Sequence, residues 1–532
     1  MKLYYLLICI IAIFITITNS LEFRTYSGEN NNIRNPNQGA SNKPFTRISK
    51  PKKFNVKDSP AITTTIPRVV SNVVFDQTQR ITSKEHLTDM FNAWGRFFSR
   101  NIASAKPNEQ NKWPIIVPKC DPYYDPKCTG SKTMDYYRSE YTQIPCTEEG
   151  TVMEEDGKCY DQINGVSSYL DGKSIYGNNE DICQSLRTHQ GGEMKMNQTP
   201  ELGDLPPKNV PGVPVDNEGN LFPTEQLYSV GERRANENPG LLAIHTLFLR
   251  EHNRIARRFA KTYSDWDDET IFQRSRSCII EQIQKITYEE YLPLLLGYFA
   301  NYTGYNPNIN SQVSNEFFST AFKFVHSEMA SSVEYYDEDG SRLQPLPLKF
   351  SFFNPHALNQ GIEPLIRGLI LNEEENVDTS VVSDLRNNLF GKPGQGGSDL
   401  VSIDLQMTHD HGIPLYNSLR MQLGLRVATN WSHITSDEPT QNRLKQAYKT
   451  VDDVDALTGG LAEDHMQGSC VGQLFYSIIY EQFYRTRAGD RFWYETPSIK
   501  ILNRECGTTS FSNIIKRNTL NIGDIPLNVF KK

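Results

Sequence analysis

Apolar residues recur at helical spacing over most of the chain from about residue 86 onward. The first amphipathic helix carries them at i, i+3, i+4 and i+7, as Leu87, Met90, Phe91 and Trp94. The same pattern predicts further helices over 241–263, 269–296 with a break around Pro293, 315–331, 415–425 and 471–485. Alternating strand patterns are few and short. The periodicity therefore predicts a mainly α fold with one large domain over residues 81–532.

The first 20 residues have the pattern of a secretory signal peptide. Lys2 precedes an apolar run over residues 3–17, which ends at the polar residues Thr18, Asn19 and Ser20. A membrane span needs about 20 apolar residues, so this run is short for one, and no later segment is long and apolar enough. The pattern predicts a secreted, extracellular protein without a stable membrane span. The alternative is a signal anchor that stays attached.

Residues 21–80 lack a clear period. Positions 29–44 are rich in Asn, Ser, Gly and Pro, a composition typical of segments that bury little apolar surface. We therefore predict a flexible arm or pro-segment over 21–80. Residues 105–235, which are rich in Pro, Gly and Cys, favour loops with short helices.

The charge balance excludes one class of function. The 532-residue chain has 55 basic and 63 acidic residues, which gives a net charge of −8. A nucleic-acid-binding protein would concentrate basic residues on one face, whereas the basic residues of 250–258 alternate with apolar ones at helical spacing. We expect no nucleic-acid partner.

Cysteine usage agrees with export. Eight cysteines follow the leader: Cys120, Cys128, Cys146, Cys159, Cys183, Cys278, Cys470 and Cys506. An even number in an exported chain predicts disulfides, and the five within 120–183 suggest local staples. Cys278 lies in a helical pattern, where we expect a buried free thiol. Three acceptor triplets predict glycosylation, at Asn197, Asn301 and Asn430.

One histidine pair invites a different interpretation. His409 and His411 flank Asp410, and two histidines on one face could begin a metal site. A haem-free metal hydrolase is therefore an alternative, but spacing identifies no third ligand, which such a site needs.

Several short motifs recur in one order over residues 80–510. They are Trp94-Gly95-Arg96-Phe97, Tyr169-Leu170-Asp171-Gly172, Ile175-Tyr176-Gly177, Arg234-Ala235-Asn236-Glu237-Asn238-Pro239, His245-Thr246-Leu247-Phe248-Leu249-Arg250-Glu251-His252-Asn253-Arg254, Ile286-Thr287-Tyr288, Glu290-Tyr291-Leu292-Pro293, Ala321-Phe322-Lys323-Phe324-Val325-His326, Asp410-His411-Gly412-Ile413-Pro414 and Gly489-Asp490-Arg491-Phe492-Trp493. In this order they resemble the animal-type haem peroxidases, the myeloperoxidase and peroxinectin superfamily. The resemblance implies haem b held among helices, and hydrogen peroxide and a small reducing donor as partners.

The resemblance also implies roles for single residues. His326 falls at the position of the proximal histidine, which binds the haem iron. Asp404 falls where the family usually has an Asn, and a carboxylate there would make the imidazole a stronger donor. Arg234 matches the catalytic arginine that stabilises the peroxide anion. Glu237 matches a carboxylate that some members esterify to the haem. The alternative for Arg234 and Glu237 is a simple i,i+3 ion pair.

The first motif departs from the family. Arg100 stands where the distal histidine should take a proton from peroxide and return it. A guanidinium stays protonated to a pH of about 12 or more and cannot act as that base. Losing acid–base help typically costs about 10²–10⁴ in rate. Ser99 replaces a second ester-forming Asp.

The calcium site that the family implies is altered as well. Ser167, Tyr169 and Asp171 match its loop, but Asn101 replaces an Asp ligand and Lys173 a Ser ligand. An ammonium donates no lone pair, so Lys173 could replace the ion electrostatically. We do not expect calcium to bind as it does in the family.

Two functions remain open at this point. The first is a secreted haem peroxidase that oxidises small donors at reduced or altered efficiency. The alternative is a catalytically impaired binding or adhesion protein on the same scaffold, with a cell-surface or matrix partner. Some members adhere through Arg-Gly-Asp or Lys-Gly-Asp triplets, whereas this chain has Ala488-Gly489-Asp490.

Overall fold

A computed structural model describes residues 22–51, 65–146, 157–507 and 509–532. The expected signal peptide, residues 1–20, lies outside the described residues. The structure is 41% helix and 11% strand, which confirms the predicted mainly α class. Within the described ranges, no helix has both the length and the apolar character to cross a membrane.

The α-helices carry most of the core. In chain order they are α1 Pro67–Val74, α2 Asp89–Ile102, α3 Lys173–Tyr176, α4 Glu180–Leu186, α5 Pro239–Thr262, α6 Asp268–Lys285, α7 Leu292–Leu296, α8 Asn315–Ser319, α9 Glu363–Leu371, α10 Ser383–Asn387, α11 Leu400–Asp410, α12 Tyr416–Gln422, α13 Glu438–Ala447, α14 Ala456–Ala462, α15 Gln473–Ala488, α16 Pro497–Leu502 and α17 Phe511–Asn518.

The strands are short and lie mostly in the first third of the chain. They are β1 Lys43–Pro44, β2 Pro107–Lys112, β3 Ile115–Ile116, β4 Thr133–Met134, β5 Tyr137–Ser139, β6 Tyr141–Ile144, β7 Cys159–Asn164, β8 Ser332–Val333, β9 Leu346–Pro347, β10 Lys392–Pro393 and β11 Gly396–Gly397. The largest sheet is antiparallel, in the order β1-β7-β6.

Helix α5 forms the centre of the core and packs against α2 and α6. Its N-cap, Asn238, accepts a hydrogen bond from the Gly240 amide, and Pro239 occupies the first turn, where its missing N–H costs no bond. The stripe that the sequence predicted is buried, at Leu241, Ile244, Phe248, Ile255 and Phe259.

One helix prediction is confirmed and another was wrong. The helix predicted over 269–296 is interrupted close to Pro293, by a π-helical turn over Ile286–Tyr291, and Pro293 lies in the first turn of α7. The segment 315–331 is not one helix, because Thr320 (φ −133°, ψ −75°) ends α8 and a 3-10 helix follows over Ala321–His326. Periodicity missed this break because Phe317, Phe324 and other apolar residues on both sides are buried alike.

Residues 22–51, which we expected in a flexible arm, lie against the helical body. Arg24 Nη2 donates to Asp490 Oδ2 at 2.6 Å, and Asn31 Nδ2 donates to Asp490 Oδ1 at 2.9 Å. Phe45 enters the main core, and β1 pairs with β7. The asparagines that suggested disorder instead satisfy buried polar groups.

Three disulfides join described cysteines. Cys120–Cys128 and Cys146–Cys159 are the local staples that the spacing suggested. The expected free thiol at Cys278 is wrong: Cys278 bonds Cys506, 228 positions later, and so ties α6 to the C-terminal segment. The sequence could not show this because the partners are neighbours only in the folded chain. Cys183 and Cys470 are buried free thiols.

Candidate active site

The proximal side is built around a histidine–carboxylate pair. His326 ends the 3-10 helix, and its Nδ1 lies 2.5 Å from Oδ2 of Asp404 on α11. Lys323 Nζ lies 3.3 Å from the other Asp404 oxygen. The His326 side chain keeps 22% of its exposure although Asp404 is buried. Two elements distant in sequence thus orient one imidazole.

The groups around Asp404 determine which nitrogen of the His326 imidazole is available to bind a ligand. Burial alone would raise the pKa of Asp404, but its contacts with His326 and Lys323 hold it below its usual value. An ionised Asp404 accepts a hydrogen bond from Nδ1–H and so leaves the lone pair on Nε2 for a ligand. Among the described residues, His326 Nε2 has no hydrogen-bonding partner. The donor type and the orientation of the imidazole therefore fit a residue that would bind the iron of a haem.

A second cluster, on the side that the resemblance makes distal, holds a carboxylate between two arginines. Arg96 and Arg100 lie one turn apart on α2, and their Nη2 atoms donate to Glu237 Oε1 at 3.0 Å and Oε2 at 2.7 Å. Glu237 ends the 3-10 helix Ala235–Glu237. Burial would raise the pKa of Glu237, but the charges of Arg100, Arg96 and Arg234 lower it to about 2. Glu237 is therefore a carboxylate ion at neutral pH.

Arg234 has a separate partner. Its Nε and Nη2 donate to Glu232 Oε1 and Oε2 at 2.6 and 3.0 Å, and its backbone N–H also donates to Oε1. The alternative of an Arg234–Glu237 ion pair is therefore wrong, since each residue pairs elsewhere. The bidentate Glu232 contact fixes the guanidinium.

Two residues of this site escaped the sequence analysis, Arg96 and Glu232. Arg96 had a signal, because it lies four residues before Arg100 and so on the same helix face. Glu232 had only its place two residues before Arg234. Helix α2 also reaches the proximal side, where Asn92 Nδ2 donates to the Val325 carbonyl at 2.6 Å.

The loop that the family uses for calcium holds an ammonium. Lys173 Nζ donates to Ser167 Oγ at 2.5 Å and to the Ser167 carbonyl at 2.9 Å, and it lies 3.4 Å from Asp171 Oδ1. The side chain is only 3% exposed. Asn101 turns its amide oxygen to the Ser174 N–H at 3.2 Å, and the Tyr169 hydroxyl donates to the Gln38 carbonyl.

This donor set does not fit calcium. The Lys173 ammonium uses three of the loop oxygens that a cation would need. Burial lowers the pKa of Lys173 to about 8 despite the opposing charge of Asp171, so the side chain is still mostly charged at pH 7. In the ranges that the structure covers, no three metal-ligating side chains cluster.

The histidine pair of the metal-hydrolase alternative does not form a site. His409 Nε2 bonds Asp455 Oδ1 at 2.7 Å, whereas His411 bonds Ser139 through Nε2 and Asn315 through Nδ1. Both nitrogens of His411 are therefore occupied, and that interpretation is wrong. Asp490 of the Ala-Gly-Asp triplet is buried under Arg24 and Asn31, so it is not displayed to a partner.

Comparisons with known proteins agree with this geometry. A family model described as animal haem peroxidase matches residues 23–530. Peroxinectin A of Dictyostelium discoideum is 65% identical over 523 residues, 98% of each chain. Lactoperoxidase of Mesocricetus auratus is 31% identical and covers 97% of this chain and 78% of that protein.

The solved structures give the same result. Peroxidase A from Dictyostelium discoideum matches with a TM-score of 0.95 at 65% identity, over 96% of this chain and 100% of that one. Fatty acid alpha-dioxygenase of Oryza sativa matches with a TM-score of 0.76 at 18% identity over 94% and 85%, which is a likeness of fold alone. The chain belongs to the animal haem peroxidase family.

Proposed function

We propose that this protein is a secreted haem peroxidase, which uses hydrogen peroxide to oxidise small donors at an efficiency altered by the loss of the distal histidine. The observation that carries the proposal is the His326–Asp404 pair, with Nε2 free to bind iron and Nδ1 held at 2.5 Å. The family membership and the peroxidase relatives support the same function. Export is supported by three disulfides and by exposed acceptor residues at Asn197, Asn301 and Asn430.

The side chains divide the work of such a reaction. A bound haem b supplies the redox chemistry. His326 would hold it from the proximal side, and Asp404 would keep the imidazole strongly donating. Arg234, fixed by Glu232, would stabilise the negative charge that develops on peroxide. Arg100 cannot accept a proton, because its guanidinium is cationic and donates to Glu237. Calcium has no part in this proposal.

The test is an absorption spectrum and a guaiacol assay on the purified protein, with Arg234→Gln as the diagnostic variant. We expect a Soret band in both proteins and a peroxide-dependent rate about 10²–10³ lower in the variant, because one charged stabilising group is lost. Arg233→Gln is the matched control, since Arg233 is exposed and pairs with Asp216. A haem-loaded wild type without turnover would contradict the proposal.

The second candidate function is a binding or adhesion protein. The observation that favours it is Arg100, because a peroxidase fold without its acid–base residue need not catalyse peroxide turnover. We expect wild type to have a measurable rate and Arg100→His to raise it. The increase should be at most about 10²–10⁴, which is the contribution typical of acid–base groups. Stopped-flow and steady-state guaiacol oxidation measure this. Activity that is absent from haem-loaded wild type and present only in Arg100→His would favour the second candidate.

A further inference from the structure

We propose that Glu237 remains a free carboxylate and performs the proton transfer of the missing histidine: it accepts a proton from hydrogen peroxide and returns it to the departing oxygen. The inference rests on the proposed function, since it needs bound haem and peroxide. It differs from the role that the family implies for this position, which is an ester bond to the haem.

The contacts of Glu237 favour a free carboxylate. Both of its oxygens are bound to guanidinium groups, of Arg96 and Arg100, in charge-assisted bonds that stabilise the ion. Esterification would remove the negative charge and leave two largely buried cations without their counter-ion, which is costly. Arg100 and Arg96 are thus matched to a carboxylate and not to an ester.

Glu237 is also the more accessible of the two carboxylates on this side. Its side chain is 19% exposed, whereas Glu232 is 5% exposed and uses both oxygens on Arg234. Each Glu237 oxygen accepts one bond from the described residues. A carboxylate oxygen can accept two, so each retains an acceptor position for a peroxide hydroxyl.

The charges around Glu237 set the pH range in which it can act. Arg96 and Arg100 face it from α2, and Arg234 lies on its own loop. The acidic neighbour is Glu218, whose pKa is raised by burial, by Asp216 and by Glu237. Because the pKa of Glu237 is lowered to about 2, its basic form persists to about pH 3. The basic form of an imidazole, whose ordinary pKa is about 6.5, would already be protonated well above that pH.

The proposed step conserves atoms and electrons. One peroxide O–H breaks and its proton moves to a Glu237 oxygen. The O–O bond then breaks, and Glu237 returns the proton to the far oxygen, which leaves as water. The two electrons that reduce peroxide come from the haem and are replaced by the donor, so that one peroxide, two electrons and two protons give two waters. Such a weak base transfers protons more slowly than imidazole, which is consistent with an altered efficiency.

The first test needs no turnover. Acidified butanone should extract the haem from wild type, because no ester joins it to Glu237. Glu237→Gln and Glu237→Asp should release haem equally. Haem that stays with wild-type protein and is released only by Glu237→Gln would overturn the proposal.

The second test is a pH profile of peroxide-dependent oxidation. We expect wild type to keep its rate down to about pH 4, Glu237→Gln to lose about 10²–10⁴ in rate, and Glu237→Asp to keep part of it. Glu225→Gln, at an exposed position twelve residues earlier in the chain, is the control. In Glu237→Gln with Arg100→His, the rate should return at pH 8 and fall below about pH 6.5, as an imidazole base requires.

A role in charge balance alone predicts other results. Arg96→Gln combined with Glu237→Gln restores the balance of charges without a carboxylate, so recovery of the wild-type rate there would overturn the inference. A wild-type rate in Glu237→Gln would overturn this inference but leave the proposed function standing. Wild type that takes up no haem, or that binds haem without turnover, would instead remove the proposed function as well. The Soret band and the unfolding transition of each variant show that it folds.

Discussion

Replacing His326 by alanine is expected to abolish specific haem binding, with loss of the Soret band from the purified protein. A buried partner orients this imidazole, since Asp404 holds Nδ1 at 2.5 Å and Nε2 has no hydrogen-bonding partner among the described residues. Alanine removes the metal–ligand bond and leaves Asp404 facing Lys323 alone. Haem affinity should therefore fall by far more than the 10–100-fold typical of losing a residue that only orients a ligand.

The measurement is haem titration followed at the Soret band, with the apoprotein checked for its normal helical circular dichroism. His433→Ala is the matched control, because His433 is exposed and bonds only nearby surface residues, Thr429 and Asn430. Adding imidazole to the His326→Ala protein should restore part of the spectrum by filling the space of the lost side chain. An unchanged Soret band in His326→Ala would show that the iron is bound elsewhere.

Replacing Lys173 by methionine is expected to lower the free energy of unfolding by about 3–5 kcal/mol, the cost of breaking a buried ion pair on one side. Methionine retains most of the volume but removes both bonds to Ser167, and it leaves Asp171 buried with only the Ser167 hydroxyl and the backbone N–H of residue 173 as donors. Guanidinium chloride denaturation measures the effect. Lys261→Met, at an exposed position of α5, is the control.

Calcium provides a second measurement on the same loop. Because the ammonium already uses the loop oxygens, neither calcium nor a chelator should shift the unfolding midpoint of wild type. Lys173→Ser combined with Asn101→Asp restores an oxygen-only donor set, and calcium should then raise the midpoint by mass action. Stabilisation of wild type by calcium would contradict the interpretation of this loop.

The sequence predicted those parts of the fold that depend on local patterns. Helices α2 and α5 were predicted because their apolar residues repeat at the helical period and face one core. The break at Thr320 was missed, since periodicity reports which side chains are buried and not where the backbone leaves the helix. Cys278 was misassigned because its partner lies 228 positions away.

The site shows the same limit. His326, Arg234 and Glu237 were proposed because each lies in a motif, and Asp404 because it falls where the family usually has an Asn; the structure places His326 beside Asp404 as expected. The pairing of the charges was not foreseen, because Arg96 and Arg100 reach Glu237 across 141 and 137 positions. A motif gives the identity of a residue, whereas its partner depends on tertiary packing.

The hydrogen bond from Asn92 to the Val325 carbonyl anchors α2 to the segment that carries His326. One turn later, Arg96 on the same helix binds Glu237. The two anchor points are about 6 Å apart along a rigid axis, so α2 sets the spacing between the segments that carry His326 and Glu237. A motion that moved these two segments apart would have to bend α2 or break one of the two hydrogen bonds.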